Sequence, residues 1–203
     1  MPTYFTKSEA RNAANTRKRI LAKSLGSISV ESHDVLREEK LLSEKRDSFD
    51  IFLSHSVKDA DLVLGMKELL EARGLSVYID WDTDRQLDRS SVSADTANVL
   101  RKRMQQSRSM LYLATAAASS SKWMPWELGF FDGLRGGQVA VLPVLDTATE
   151  RFSGQEYLEL YPKVTKNTYK GTAQQDVFVE GFNQWMTLSS FATGKKDWKD
   201  YVT

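Results

Sequence analysis

The chain contains no cysteine. That absence removes disulfides, thiolate metal centres and cysteine nucleophiles together, and it fits a reducing compartment. Histidine is nearly as scarce. His33 and His55 are the two among 203 residues; neither stands in an H-E-x-x-H spacing, and a Ser-His-Asp hydrolase would depend on one of them. An excess of one charge is missing too: 28 lysines and arginines face 27 aspartates and glutamates, for a formal charge of +1. No overall electrostatic footprint for nucleic acid or an acidic membrane results. No apolar run reaches the ~20 residues of a membrane span, and the opening residues Met1-Pro2-Thr3-Tyr4-Phe5-Thr6-Lys7 lack a signal-peptide core. The expectation is a soluble, cytoplasmic protein without a metal site. Finally, there is no G-x-G-x-x-G after the first strand, no G-x-x-x-x-G-K-[ST] and no G-x-S-x-G. Hydride transfer, P-loop ATP hydrolysis and α/β-hydrolase chemistry are therefore poor fits.

What is present, 41% hydrophobic residues in a chain of this length, suffices for one substantial core with an extension. Residues 1–47 read as that extension. They are rich in alanine and charge, with Lys7, Arg11, Arg17, Lys18, Arg19 and Lys23 facing only Glu9 in the first half. Helix is expected here, with Ile20, Leu21, Leu25, Val35, Leu36, Leu41 and Leu42 available for packing on the main domain or another subunit. The basic cluster reads as a solvated helix face rather than a phosphate or lipid contact.

From Phe49 the pattern alternates strand and helix. Strands are expected at 49–54, 75–79, 109–115 and 138–145, with a weaker one near 161–164; helices are expected at 59–73, 93–106 and from Trp123 onward. A last helix is expected at 175–188, offering Val177, Phe178, Phe182, Trp185 and Met186 to the core. This order predicts an α/β doubly wound fold over residues 48–203, a parallel sheet of about five strands covered by helices on both faces.

The segment Ser119-Ser120-Ser121-Lys122-Trp123-Met124-Pro125-Trp126-Glu127-Leu128 carries the chemistry. It follows an apolar strand and opens a helix, with serines able to cap the first amides and Pro125 tolerable in the first turn. Open α/β sheets keep their ligand sites at such strand ends. Trp123 and Glu127, four apart, share a helix face. An aromatic wall beside a carboxylate suits a flat, cationic ring joined to a sugar; a core tryptophan with a solvated glutamate is the plainer alternative. Ser54, His55 and Ser56, at the end of the first strand, could donate to phosphate or adenine, or form a loop cap with a surface histidine. In the charged loop from Asp80, Trp81 is either exposed at a substrate mouth or an anchor for a neighbouring subunit, and Arg85 could meet a phosphate. Asp82, Asp84 and Asp88 read as a solvated turn.

Several of these segments resemble one family, the Toll/interleukin receptor (TIR) domain, and occur in its order. Phe49-Asp50-Ile51-Phe52-Leu53-Ser54-His55-Ser56 is similar to the family's opening strand, the charged loop after Ile79 sits where the family has its BB loop, and Ser121-Lys122-Trp123-Met124-Pro125-Trp126-Glu127-Leu128 looks like the S-x-W-x-x-x-E-L segment of its enzymatic members. The resemblance covers about residues 48–190. It implies a flavodoxin-like domain that cleaves NAD+ to nicotinamide and ADP-ribose or a cyclic relative. Glu127 is then the catalytic residue, and Trp123, the first loop and the BB loop form the nucleotide site. No cofactor is implied beyond NAD+ as substrate. Self-association through TIR-TIR contacts is implied, and a downstream effector sensing the nucleotide product is a further partner. A stand-alone protein of this size resembles the signal-producing component of Thoeris-type antiphage defence. The alternative is a non-catalytic adaptor or host-directed mimic acting through TIR-TIR contacts. The chain departs from the family pattern in having Met124 where many eukaryotic members carry cysteine, and in a BB loop without the usual proline and glycine.

Overall fold

The computed structural model describes residues 2–26, 29–43, 45–81, 94–169 and 171–201. Among these the central strands are β2 (Phe49–Ser54), β3 (Val77–Tyr78), β4 (Ser107–Ala114) and β5 (Val139–Leu145), mutually parallel and joined by α3 (Ala60–Glu71), α4 (Ala94–Gln105) and α5 (Trp123–Leu134). They run β3-β2-β4-β5 across the sheet. The chain thus steps to one side of β2 through α3 and then, through α4, to the other side, which makes the β2/β4 boundary the place where connection direction reverses. At such a boundary the strand ends leave a crevice. Their apolar runs are buried on both faces, as a parallel sheet sandwiched by helices requires.

The helices divide into two layers. Leu62, Val63, Met66 and Leu70 of α3 pack with Ile51, Leu53, Leu111 and Leu142 on one face. Leu100 and Met104 of α4, with Met124, Leu128 and Phe131 of α5, pack on Phe52, Met110, Tyr112 and Val141 on the other. The fold class expected from strand and helix alternation is what forms.

Beyond β5 the sheet changes character. β6 (Lys163–Thr168) still pairs in parallel with β5. β7 (Gln175–Glu180), β8 (Gln184–Thr187) and β9 (Lys199–Asp200) then continue antiparallel, giving a nine-stranded sheet among the described residues. The helix expected at 175–188 is therefore a hairpin, and the sheet is wider than the expected five strands. The physical reason lies in the residues. Val177 and Val179 alternate with Asp176, Phe178 and Glu180, a period of two that suits a half-covered strand, and Gly181-Phe182-Asn183 makes the turn. Phe182, expected in the core, is 89% exposed at that turn. A short helix, α6 (Leu188–Ala192), follows, capped by Thr187.

The first 47 residues are woven into this frame. β1 (Phe5–Thr6) pairs in parallel with the far end of β5, and Thr3 bridges to Lys166 of β6. Thr6 then caps α1 (Lys7–Leu25) in a reciprocal capping box with Glu9. Both α1 and α2 (Ser32–Ser43) lie on α3. The closest approach uses small residues, with the expected Leu21 partly buried against the same core. Ala10 and Ala14 are buried, and a Cβ on Gly65 of α3 would stand 1.8 Å from the Ala10 carbonyl oxygen, so the two backbones approach as only glycine allows. Val35 and Leu36 are buried as expected, whereas Ile20, Leu25, Leu41 and Leu42 are exposed. Half of the basic cluster is engaged in ion pairs: Lys7 with Asp146, Arg17 with Glu39 and Glu68, and Lys18 with Asp61.

Candidate active site

Ser54 is the last residue of β2 and stands in register with Tyr112 of β4, at the boundary where connection direction reverses. Glu127 projects into the same place from the second turn of α5. The Ser54 hydroxyl donates to Glu127 Oε2 at 2.5 Å, and both residues are buried, with Glu127 only 6% exposed. A buried carboxylate requires such a donor, since desolvation of an unpaired charge is costly. The geometry of α5 follows from its local sequence. Ser121 Oγ accepts from the Met124 amide at 3.3 Å, and Pro125 occupies the first turn, where its missing N–H has no intrahelical partner to lose. Trp123, one turn before Glu127, is nearly buried and meets Trp126 edge-on at 5.4 Å.

The first loop is packed inward. His55 is buried, and its Nδ1 lies 2.8 Å from the Leu53 carbonyl. A carbonyl only accepts, so that ring nitrogen carries the proton and the imidazole is oriented by its own strand. Ser56 is buried and caps the 3-10 turn Val57–Asp59 through the Lys58 amide.

The described start of the second loop is also held. Trp81 is 2% exposed. Its ring is stacked on His55 at 5.3 Å and tilted against His33 of α2 at 5.1 Å. It is thus a buried wedge between the first loop and the amino-terminal helices, where sequence reasoning offered an exposed aromatic or a subunit anchor. Asp80 forms an ion pair with Lys40 of α2 at 3.3 Å. Arg85, with Asp82, Asp84 and Asp88, lies outside the described residues.

The structure therefore joins Ser54 to Glu127 and His55 to Trp81, holds Ser56 in a turn cap and Trp123 against Trp126, and directs Ser121 to a helix cap and Asp80 to α2. It also adds Tyr112, which sequence reasoning missed. Burial, the adjoining Tyr157 hydroxyl and the Glu127 charge all raise its pKa, so the phenol stays protonated and donating at neutral pH. Its hydroxyl lies 3.4 Å from Gln155 Oε1, which also accepts from Tyr157 at 2.5 Å. Strand register was the signal that would have found Tyr112; it is set by pairing, not by the tyrosine's neighbours in sequence.

Tyr112 and Gln155 also line a cavity of about 410 Å³ at the carboxyl ends of β4 and β5, with Lys7, Thr115, Ser119 and Asp146 on its rim. Thr115 donates to Asp59 at 2.6 Å, joining the cavity wall to the start of α3. Burial raises the Asp59 pKa against that hydrogen bond. Among the described residues no group of three or more histidine, aspartate or glutamate side chains is placed to hold a metal ion. No described helix is long and apolar enough to cross a membrane.

The chain is a doubly wound α/β protein with a carboxylate buried at the reversal point of its sheet and an aromatic one turn before it. The TIR domain model matches residues 51–174, and the chain belongs to that family. It is 40% identical over 192 residues, 91% of its own length and 98% of the relative's, to the Bacillus cereus (strain MSX-D12) protein named "Probable 3' cyclic ADP-D-ribose synthase ThsB'". A shorter match, 32% identical over 88 residues, covers 43% of the chain and 23% of a Cytobacillus dafuensis protein provisionally named cyclic ADP-D-ribose synthase TIR2.

Proposed function

We infer that this chain is a TIR enzyme of Thoeris-type defence that breaks the nicotinamide–ribose bond of NAD+ and closes the remaining ADP-ribose into a cyclic isomer. The observation that carries the reading is the Glu127 carboxylate, buried at the β2/β4 strand ends and oriented by Ser54. The near full-length likeness to a protein named as a cyclic ADP-D-ribose synthase supports the reaction class.

The chemistry asks little else of the protein. When the C1′–N bond breaks, its electron pair leaves with the ring nitrogen, and nicotinamide departs neutral without needing a general acid. Positive charge develops on the ribose carbon and ring oxygen. Glu127 stabilises that charge while accepting hydrogen bonds from the adjacent ribose hydroxyls, a role in which a preoriented, poorly solvated carboxylate is worth far more than one in water. Trp123 flanks the nicotinamide and limits access of water. A hydroxyl of the adenosine ribose then attacks C1′ and passes its proton to the carboxylate. The sum is NAD+ going to nicotinamide, cyclic ADP-ribose and one proton. Tyr112 and the 410 Å³ cavity beside it take the remainder of the dinucleotide. The nucleotide product is read by a downstream effector, and the active form is self-associated.

The test is nicotinamide release from NAD+ at high protein concentration, with the nucleotide products resolved by chromatography. Release together with a cyclic isomer from the intact chain, and neither from a folded Glu127→Gln variant, is the expected result. Release that persists in Glu127→Gln would overturn the role of the carboxylate. ADP-ribose as the sole product would overturn the cyclisation.

A further inference from the structure

The antiparallel edge holds a second built cavity that the NAD+ chemistry does not use. Val177 and Val179 of β7 turn to the core, so Phe178 and Glu180 project from the opposite face, where β8 supplies Trp185 directly across from Glu180. Tyr169 completes the group. The rings of Tyr169, Phe178 and Trp185 stand edge-on to one another, at 5.1 Å, 5.4 Å and 6.4 Å between centroids. With Tyr201 they wall a cavity of about 600 Å³, within the usual range for small-molecule sites. β7 stands three places from β4 in the sheet, about 14 Å across the strands from the strand beside Glu127.

Its electrostatics select a ligand class. Glu180 and Asp200 are on the lining, and Asp176 accepts from the Tyr169 hydroxyl at 3.1 Å. Burial and the Glu180 carboxylate push the Tyr201 pKa up to about 12, so the tyrosine stays a donor, hydrogen-bonded to Glu180. Aromatic faces beside a carboxylate attract a cation that sheds its water easily, as alkylated ammonium groups do. Lys199, the cross-strand partner of Trp185, already places its Nζ 5.1 Å from that ring's centroid. That lysine is exposed and on the two-residue edge strand β9, so it can be displaced.

We propose that the cavity walled by Tyr169, Phe178, Trp185 and Tyr201 and faced by Glu180 binds a small organic cation bearing an alkylated ammonium group. Such a ligand sits over Trp185 in place of Lys199, with its charge toward Glu180.

The experiment is a titration of the full chain with choline and with dimethylbutanol, its neutral carbon isostere, followed through the Trp185 indole resonance. Choline is expected to give a saturable shift, with the isostere about fivefold weaker. Glu180→Gln, which keeps shape and acceptor, weakens choline severalfold. Lys199→Ala, which frees the ring face, strengthens it. Equal affinity for the isostere would overturn the proposal, as would tighter binding of methylguanidinium, which would make this a seat for a protein arginine. Absence of a saturable shift in both the natural chain and Lys199→Ala would overturn it too. Nicotinamide release is read separately in the same variants, so failure here is distinct from failure of the NAD+ reading.

Discussion

The two halves of the sheet solve the same problem differently. β2, β4 and β5 are covered on both faces, so polar groups at their ends must satisfy one another: Ser54 holds Glu127, Thr115 holds Asp59, and Gln155 joins Tyr112 to Tyr157. β7 and β8 turn Val177, Val179 and Met186 to the core, while on their other face Phe178 is buried against Tyr169 and Trp185, both half-buried, and β9 is exposed. Enclosure suits the preorganised carboxylate of the proposed reaction, and partial cover suits the proposed cation site.

That contrast can be broken by substitution. Glu127→Gln in the enclosed half should lower nicotinamide release a hundredfold or more, on the order of 3 kcal/mol of barrier, with an unchanged circular dichroism spectrum. Gly65→Ala should separate α1 from α3 under the same half, because the added methyl meets backbone rather than a movable side chain. Overpacking of this kind costs about 3 kcal/mol, or roughly 6–12 °C in Tm, readable by differential scanning calorimetry. Ser54→Ala removes the donor that orients Glu127, and a roughly tenfold fall in kcat with little change in KM is expected. Phe182→Ser, on the half-exposed edge, should alter stability by no more than about 0.5 kcal/mol; a loss as large as that of Gly65→Ala would erase the distinction between the halves.

Acid supplies a gentler probe. Asp61 of α3 has its pKa lowered, chiefly by the Ser32 hydroxyl at 2.6 Å and then by Lys18 at 3.1 Å. A carboxyl depressed in the folded state stabilises it above the ordinary aspartate range, and that contribution fades as pH falls through the lowered folded value. Below about pH 4, α2 and the start of α3 should lose hydrogen-exchange protection before β4 does. Protection lost in both at once would show that the ion pairs play no local part in docking the amino-terminal helices.

Much of the enclosed half was legible because its signals are local. The apolar run at 109–115, the serines before Trp123 and the four-residue spacing to Glu127 report a strand, a helix start and a shared face without knowledge of any distant segment. The edge misled because short stretches satisfy two periods. Val177, Phe178, Phe182, Trp185 and Met186 can be drawn on a helix, and only pairing with β6 makes Gln175–Glu180 a strand. Trp81 misled for a related reason. Its surroundings in sequence are charged, while its burial comes from His33, 48 positions earlier, and His55.

By itself the sequence determined the alternation of strands and helices between residues 49 and 145, the position of Glu127 at a strand-to-helix junction, and the absence of thiol chemistry, because propensity, periodicity and composition act within a turn or two of chain. The tertiary structure alone decided that Ser54 meets Glu127 across 73 residues, that Tyr112 stands beside them, that β1 joins the end of β5, and that three rings enclose a cavity at the edge. Each of these depends on strand register or helix docking, which is fixed only when segments far apart in sequence bury their apolar faces together.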